Sequence, residues 1–366
     1  MRNWYLIYVY VLSASFVISL VLTGVMRRLA LRWGMLDHPG ERKIHTEPVP
    51  VMGGVAICAT FYVVIVGGLL LLKPVRELGF SWLEANVLAF LGKGVRWKLL
   101  GIGAGGLVIC ALGVVDDLKM LSPEKKLVGQ IAAAGILVLT GVRLDLFFPN
   151  TWFSVAVTIL WVVMMTNSMN FLDNMDGLCG GISVIAALSL FLCVFPREEY
   201  FVCLLLMVFA GSVGGFLYHN LEPARIFMGD AGAMFCGYIL STVAVLGTFY
   251  TAQTPSRISV IAPLLALGVP IFDILSVVYI RWRSGDSIMK GDKRHFSHRL
   301  VQLGMTRRQA VEFIFLVAAV TGLGAAQMSH VGTMGTVIVI AQTIGVFCLI
   351  VLLMNAGKKS RGTPDK

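Results

Sequence analysis

Charge is what this chain has little of. Only 14% of its 366 residues are Asp, Glu, Lys or Arg, against about 25% in an ordinary soluble domain. Hydrophobic residues make up 57%, and mean hydropathy is +0.83. A free cytoplasmic enzyme, a disordered regulator and a secreted scaffold are excluded by that balance. Cysteine pairing is also missing. The seven cysteines (58, 110, 179, 193, 203, 236 and 348) lie in or beside apolar runs, with no CxxC among them. They read as small buried hydrophobes, not as a disulfide framework or a zinc site. No internal repeat or inverted half is visible, which argues against a secondary transporter. No segment is of low complexity apart from a short basic tail. The chain reads as one membrane domain over 1–366, with residues 355–366 as a basic cytoplasmic tail.

What is present is a succession of apolar runs. A helix needs about 20 apolar residues to cross a bilayer. Eleven segments qualify, near 4–26, 51–72, 97–115, 127–142, 152–168, 177–195, 201–218, 231–251, 258–280, 309–328 and 334–354, the fourth of them short. The pattern predicts an all-α polytopic membrane protein of ten or eleven transmembrane helices. The first run is too long for a signal-peptide core and has no A-x-A site after it, so it is expected to remain as an anchor. With the N-terminus outside, 21 of the 30 Lys and Arg fall in inner loops and nine in outer ones. The positive-inside rule then favours N-out and C-in, against the dissenting loop 73–98. The net charge of +10 is explained in the same way, without nucleic acid.

The acids follow the same side. Asp37, Asp116, Asp117, Asp173, Asp176, Asp230, Asp286 and Asp292 fall at or inside the cytoplasmic boundary, and only Asp145 is clearly outside. A transport path would place acids at mid-bilayer depth, where Asp273 is the sole candidate. The chemistry is expected at the cytoplasmic interface.

Five segments carry it. In the first, from Asp37 to Gly54, three prolines keep the chain out of helix. Arg42, Lys43 and His45 there are cationic donors suited to a phosphate, or simply positive-inside charge. The second has Asp116 and Asp117 side by side, needing cations nearby, with Lys119 or Lys125 as candidates. The third reads Asn167-Ser-Met-Asn170-Phe-Leu-Asp173-Asn-Met-Asp176-Gly177. Polar residues every third position would share a slowly wrapping helix face, and such oxygen donors suit Mg²⁺ together with substrate phosphates. The fourth, Gly229-Asp230-Ala-Gly232, opens the eighth span, with Asp230 either capping that helix or holding a metal. The fifth, Lys290 to Leu300, contains Arg294, His295 and His298. It lacks a third soft ligand for zinc and fits phosphate or sugar recognition, or lipid headgroups at a membrane surface. Gly101-Ile-Gly103-Ala-Gly-Gly106 matches a dinucleotide-binding pattern only literally. With Gly177/Gly181 and Gly211/Gly215 it reads as close helix packing.

In this order, over roughly residues 35–305, these segments resemble the polyprenyl-phosphate N-acetylhexosamine-1-phosphate transferases. The resemblance is closer to the WecA/TagO-like GlcNAc branch than to its distant relative MraY. It implies ten or eleven transmembrane helices and a cytoplasmic active site in a bacterial inner membrane. Asp230 would be the principal Mg²⁺ ligand, helped by Asp173, with Mn²⁺ as an alternative metal. Asp116, Asp117, Asp173 and Asp176 would be the catalytic carboxylates, one of the first two acting on the lipid phosphate. Asn167 and Asn170 would line the nucleotide site, and Arg42, Lys43, His45, Lys119, Lys125, Arg294, His295 and His298 would contact substrate. The implied reaction joins HexNAc 1-phosphate from a UDP-sugar to undecaprenyl phosphate and releases UMP, by single or double displacement. It would begin synthesis of a lipid-linked envelope polysaccharide such as O-antigen or teichoic acid. A homodimer is expected by analogy only. Four departures stand out: Ser297 replaces a histidine of the D-x-x-H-x-H-H-x-L loop, the three consecutive histidines of MraY-type enzymes are absent, Asn174 stands where MraY-type relatives carry Gly, and Ala233 stands where Ser is usual. The first two favour GlcNAc over MurNAc-pentapeptide and leave QuiNAc and FucNAc open. A flippase and an inactive scaffold are the rivals from other classes.

Overall fold

The computed structural model describes residues 2–38, 47–77, 92–144, 150–249, 255–285 and 295–361. Apolar runs bounded by Gly, Pro and charge fold into helices, because a backbone in lipid must satisfy its own hydrogen bonds. In chain order these are α1 (Arg2–Trp33), α2 (Gly53–Glu77), α3 (Lys93–Lys119), α4 (Pro123–Leu139), α5 (Thr151–Leu172), α6 (Leu178–Val194), α7 (Tyr200–Asn220) and α8 (Gly229–Leu246). There follow the short α9 (Ala262–Ala266), then α10 (Gly268–Ser284), the short α11 (Phe296–Gln302), α12 (Arg307–Gln327) and α13 (Thr333–Arg361). The protein is an all-α polytopic membrane protein.

Nine described helices have the length and composition to cross a bilayer, and the α9–α10 pair makes a tenth if it counts as one span. Two of the eleven expected segments therefore differ from simple spans. The fourth becomes α4, whose 17 residues reach about 25 Å, short of a core of about 30 Å. The ninth is not straight: its two parts meet at 72°. Pro270 has no N–H to offer the carbonyl of Ala266, the last residue of α9, so the ladder breaks there. The first span runs past residue 26 to Trp33, placing Arg27, Arg28 and Arg32 on helix instead of in the loop.

Small residues set the packing, as expected where lipid offers no hydrophobic drive between helices. Gly211 and Gly215 of α7 lie against Ser15, Phe16 and Ser19 of α1, and Ser19 donates to the Ser212 carbonyl. Gly101, Gly105 and Gly106 take Thr140, Tyr238 and Tyr62 against the α3 backbone, so that motif is a packing surface. Six cysteines are buried and free; Cys348 on α13 is exposed.

Helix α8 sits centrally. Gly54 of α2 and Gly113 of α3 press on its first turn so closely that a Cβ at either would collide with the backbone of residues 230–232. A short clasp adds to this. Strand β1 (Leu36–Asp37) pairs antiparallel with β2 (Val49–Pro50), and Val51 bridges to Phe227. Phe227 N donates to Pro50 O at 2.8 Å, Gly53 N to Phe227 O at 3.0 Å and Gly54 N to Met228 O at 2.8 Å. The start of α8 is thus tied to the chain between α1 and α2.

Candidate functional site

At that end of the bundle lies a cavity of about 1160 Å³. Its wall is drawn from the α1–β1 turn, β2, the end of α3, the turn after α5, the α7–α8 connection and the starts of α8 and α12. Among the described residues seven carboxylates line it: Asp37, Glu47, Asp117, Asp173, Asp176, Glu222 and Asp230. Arg307 and His298 are the cationic or ionisable nitrogen groups on the same wall.

The paired aspartates divide their work, as neighbours about 100° apart on a helix must. Asp117 faces the cavity. Its Oδ1 accepts from Asp230 N at 2.8 Å and its Oδ2 from Ala231 N at 3.3 Å, capping the first turn of α8 from another helix. Gly229 makes room: it has φ +71° and a Cβ there would strike the Asp117 carboxylate. Asp116 is buried away from the cavity, accepts from Leu121 N at 2.7 Å and is ion-paired with Lys126. Lys126 also donates to Asp230 Oδ2 at 2.8 Å. The partner of the pair is therefore Lys126; Lys119 and Lys125 are exposed and off the cavity wall.

Asp230 does not cap its own helix. Its Oδ1 takes the Asn170 amide at 2.9 Å while Lys126 holds the other oxygen. Asn167 lies one turn behind, donating to Gln130 Oε1 at 2.7 Å.

The polar series of residues 167–176 does not stay on one helix. α5 ends at Leu172, and Asp173 is its C-cap. Asp173 and Asp176 sit in a turn closed by Gly177 at φ +74°, whose N–H donates to Asn220 Oδ1 at 3.0 Å. Asp176 Oδ2 accepts from Ala224 N at 2.9 Å. This turn brings both acids onto the cavity wall. Burial, then the charges of Asp230, Asp117 and Asp176, push the Asp173 carboxyl up to about 8.

His298 lines the cavity; His295 does not. His295 is buried, and its Nδ1 donates to Asp273 Oδ2 at 2.9 Å, while Asp273 Oδ1 accepts from Phe296 N at 2.7 Å. Asp273 thus anchors the start of α11 from α10. Arg42, Lys43, His45 and Arg294 lie outside the described residues, as do Asp145, Asp286 and Asp292.

The donor set suits a hard divalent cation. Among the described residues no three His, Cys, Asp or Glu side chains form a complete cage. Mg²⁺, however, binds through one or two carboxylates plus phosphates and waters. Seven carboxylates against Arg307 and His298 among the described residues leave this wall short of positive charge.

Comparison with known proteins agrees with this geometry. A model of glycosyl transferase family 4 matches residues 99–248, the stretch holding both paired aspartates, the 167–177 series and Asp230. Over 323 residues the chain is 32% identical to a probable undecaprenyl-phosphate N-acetylglucosaminyl 1-phosphate transferase of Bacillus subtilis (strain 168), covering 85% of this chain and 83% of that one. The chain belongs to the polyprenyl-phosphate N-acetylhexosamine-1-phosphate transferases. Within that family it is also 32% identical, over 370 residues, to a decaprenyl-phosphate N-acetylglucosaminephosphotransferase of Mycobacterium tuberculosis (strain ATCC 25618 / H37Rv), covering 92% and 87%. An undecaprenyl-phosphate alpha-N-acetylglucosaminyl 1-phosphate transferase of Yersinia pestis is more distant, at 24% over 333 residues with 87% and 82% covered. These relatives place the chain in the WecA/TagO-like branch.

Site residues without a counterpart in the sequence reading are Lys126, Gln130, Arg307, Glu47 and Glu222. The first two had a signal. Lys126 and Gln130 are four apart on α4, hence on one face, and a glutamine in an apolar run marks that face as the polar one.

Proposed function

We propose that this chain transfers N-acetylhexosamine 1-phosphate, with GlcNAc the favoured sugar, from a UDP-sugar to undecaprenyl phosphate. UMP is released, and the product begins a lipid-linked envelope polysaccharide. The observation that carries the reading is the convergence of Asp117, Asp173, Asp176 and Asp230 on one cavity at the ends of membrane-length helices, in a chain whose relatives are named for this chemistry. The excess of Lys and Arg in the loops on that side supports N-out, C-in insertion in a bacterial inner membrane, with the cavity facing the cytoplasm. There a soluble nucleotide-sugar and a bilayer-borne acceptor can meet.

Phosphoryl transfer is chiefly positioning and charge neutralisation. An oxygen of the lipid phosphate attacks the β-phosphorus, the new P–O bond forms, and the bridging P–O bond to the α-phosphate breaks with its electron pair going to UMP. Mg²⁺, or Mn²⁺ in its place, would be held by Asp230 and Asp173 and would neutralise diphosphate charge as UMP departs. The protein's own residues do the rest. Lys126 and Asn170 hold Asp230 in one orientation. Asp117 has both oxygens engaged by backbone N–H groups, which makes it a positioning residue for α8. A phosphate monoester with second pKa near 6 is largely dianionic at neutral pH and attacks without a base. Arg307 and His298, which line the described wall, would contact phosphate, and Arg42, Lys43 and Arg294, outside the described residues, are further candidates for that role.

The test is release of labelled UMP by purified protein in detergent with undecaprenyl phosphate, Mg²⁺ and UDP-GlcNAc. Release requiring both lipid and metal is the expected result. Activity only with UDP-QuiNAc or UDP-FucNAc moves the sugar and keeps the reaction, and silence with every donor overturns it.

A further inference from the structure

Asn174 of the acidic turn and Ser297 of α11 are 123 residues apart in sequence and are joined by a side-chain hydrogen bond. Ser297 Oγ donates to Asn174 Oδ1 at 2.6 Å. The other end of that amide is also occupied, since Asn174 Nδ2 donates to Phe171 O at 2.7 Å. The two bonds fix the amide: its N–H faces a carbonyl and its oxygen faces the hydroxyl. Ser297 is 1% exposed, so the contact is sealed on its far side. On its near side Asn174 lines the cavity between Asp173 and Asp176, and His298 lines it one residue after Ser297.

α11 has seven residues, too few to hold a helix without outside contacts. Asp273 fixes its start through Phe296 N and His295. The Asn174–Ser297 bond supplies a second point, which sets the rotation of α11 and so the direction of His298. Asn174 and Ser297 are also two of the positions at which the sequence motifs depart from the family pattern they resemble. In space the two departures are one contact, a long amide matched to a short hydroxyl.

We propose that Asn174 and Ser297 are a matched positioning pair that fixes His298 against the Asp173–Asp176 turn and thereby sets how the donor's diphosphate-sugar end is held. The inference rests on the reading that this cavity takes a UDP-HexNAc. A histidine at 297 needs the volume that Asn174 fills, and a glycine at 174 vacates it. The pair is therefore exchangeable only as a unit.

The experiment compares Ser297→Ala, Ser297→Thr, Ser297→His, Asn174→Gly and the double variant Asn174→Gly/Ser297→His, measuring donor and acceptor KM, kcat and thermal unfolding. Ser297→Ala and Asn174→Gly are each expected to raise donor KM about tenfold, with acceptor KM within about twofold, as a displaced contact group would. Ser297→Thr keeps the hydroxyl and should stay near wild type. Ser297→His alone should lower kcat/KM for the donor about 100-fold by overpacking, and adding Asn174→Gly should recover at least about tenfold of that. Equal rises in both KM values, or a double variant whose loss is the product of the single losses, overturn the pair. Wild-type turnover with all variants matching it overturns the pair and leaves the function standing. Silence of the wild type counts against the function instead. Unfolding temperatures then still read the pair: a non-additive double variant supports it and an additive one overturns it.

Discussion

Asp117, at the end of α3, caps the helix whose first turn holds Asp230, its two oxygens accepting from the N–H groups of residues 230 and 231 at 2.8 and 3.3 Å. A carboxylate at a helix N-terminus is favoured by the helix dipole. Here it is supplied from outside the helix, so capping α8 and joining it to α3 are one interaction. Asp117→Asn keeps one acceptor and loses the charge. It is expected to fold to wild-type level and to reduce transfer about 100-fold or more, since a small displacement of a reacting centre has that effect. Labelled UMP release at matched protein level checks it; wild-type turnover would sink the assignment.

Lys126 and Lys125 are adjacent and differ completely in surroundings. Lys126 holds Asp116 and Asp230, while Lys125 is exposed. Breaking a buried pair costs about 3–5 kcal/mol, and the partial exposure of Lys126 reduces that to roughly 2 kcal/mol. Lys126→Ala should therefore lower the unfolding temperature and cut turnover more than about tenfold. Lys125→Ala should leave both within error. Equal effects from the two would contradict the geometry.

Asp173 gives a pH dependence. With its carboxyl raised to about 8 in the folded protein, against about 3.9 unfolded, its contribution to stability is fully present below the unfolded value and is lost as pH rises through about 8. A divalent cation binding the carboxylate form opposes that loss. Thermal stabilisation by Mg²⁺ should thus grow between pH 6.5 and pH 8.5, and Asp230→Asn should abolish it together with transfer. Stabilisation independent of pH would remove Asp173 from the metal site.

Glycines at the centre of the bundle differ in what surrounds them. A methyl at Gly54 meets the Gly232 backbone, which has no side chain to move aside, whereas one at Gly103 meets only the edge of Tyr62 at ordinary contact distance. Gly54→Ala should destabilise by about 1–3 kcal/mol and depress turnover. Gly103→Ala should be neutral or stabilising, alanine being about 1 kcal/mol the better helix former. Thermal unfolding of both variants in one detergent distinguishes these outcomes.

The helices were legible because lipid enforces them: each of the eleven apolar runs lies on a helix or on the bent α9–α10 pair. Their lengths and angles were less so. The break before Gly268 depends on one missing N–H at Pro270, and α4 stops at 17 residues. The acidic motifs named Asp117, Asp173, Asp176 and Asp230, which share the cavity. Their division of labour was hidden, because capping of α8 by Asp117 and anchoring of α11 by Asp273 are contacts between distant segments. The regular spacing of residues 167–176 suggested a continuous helix; Gly177 in the left-handed region turns the chain instead.

The clasp that positions Asp230 is made of backbone. Its bonds join Pro50, Gly53 and Gly54 to Phe227 and Met228 through main-chain atoms alone. The side chains of residues 49, 51 and 227 can accordingly drift over evolution without moving the metal-ligand candidate, while the buried Met228 and the glycines beneath α8 cannot. A lineage diverging in donor or acceptor preference would be free to rewrite the rim of this cavity long before it could alter the seat of Asp230.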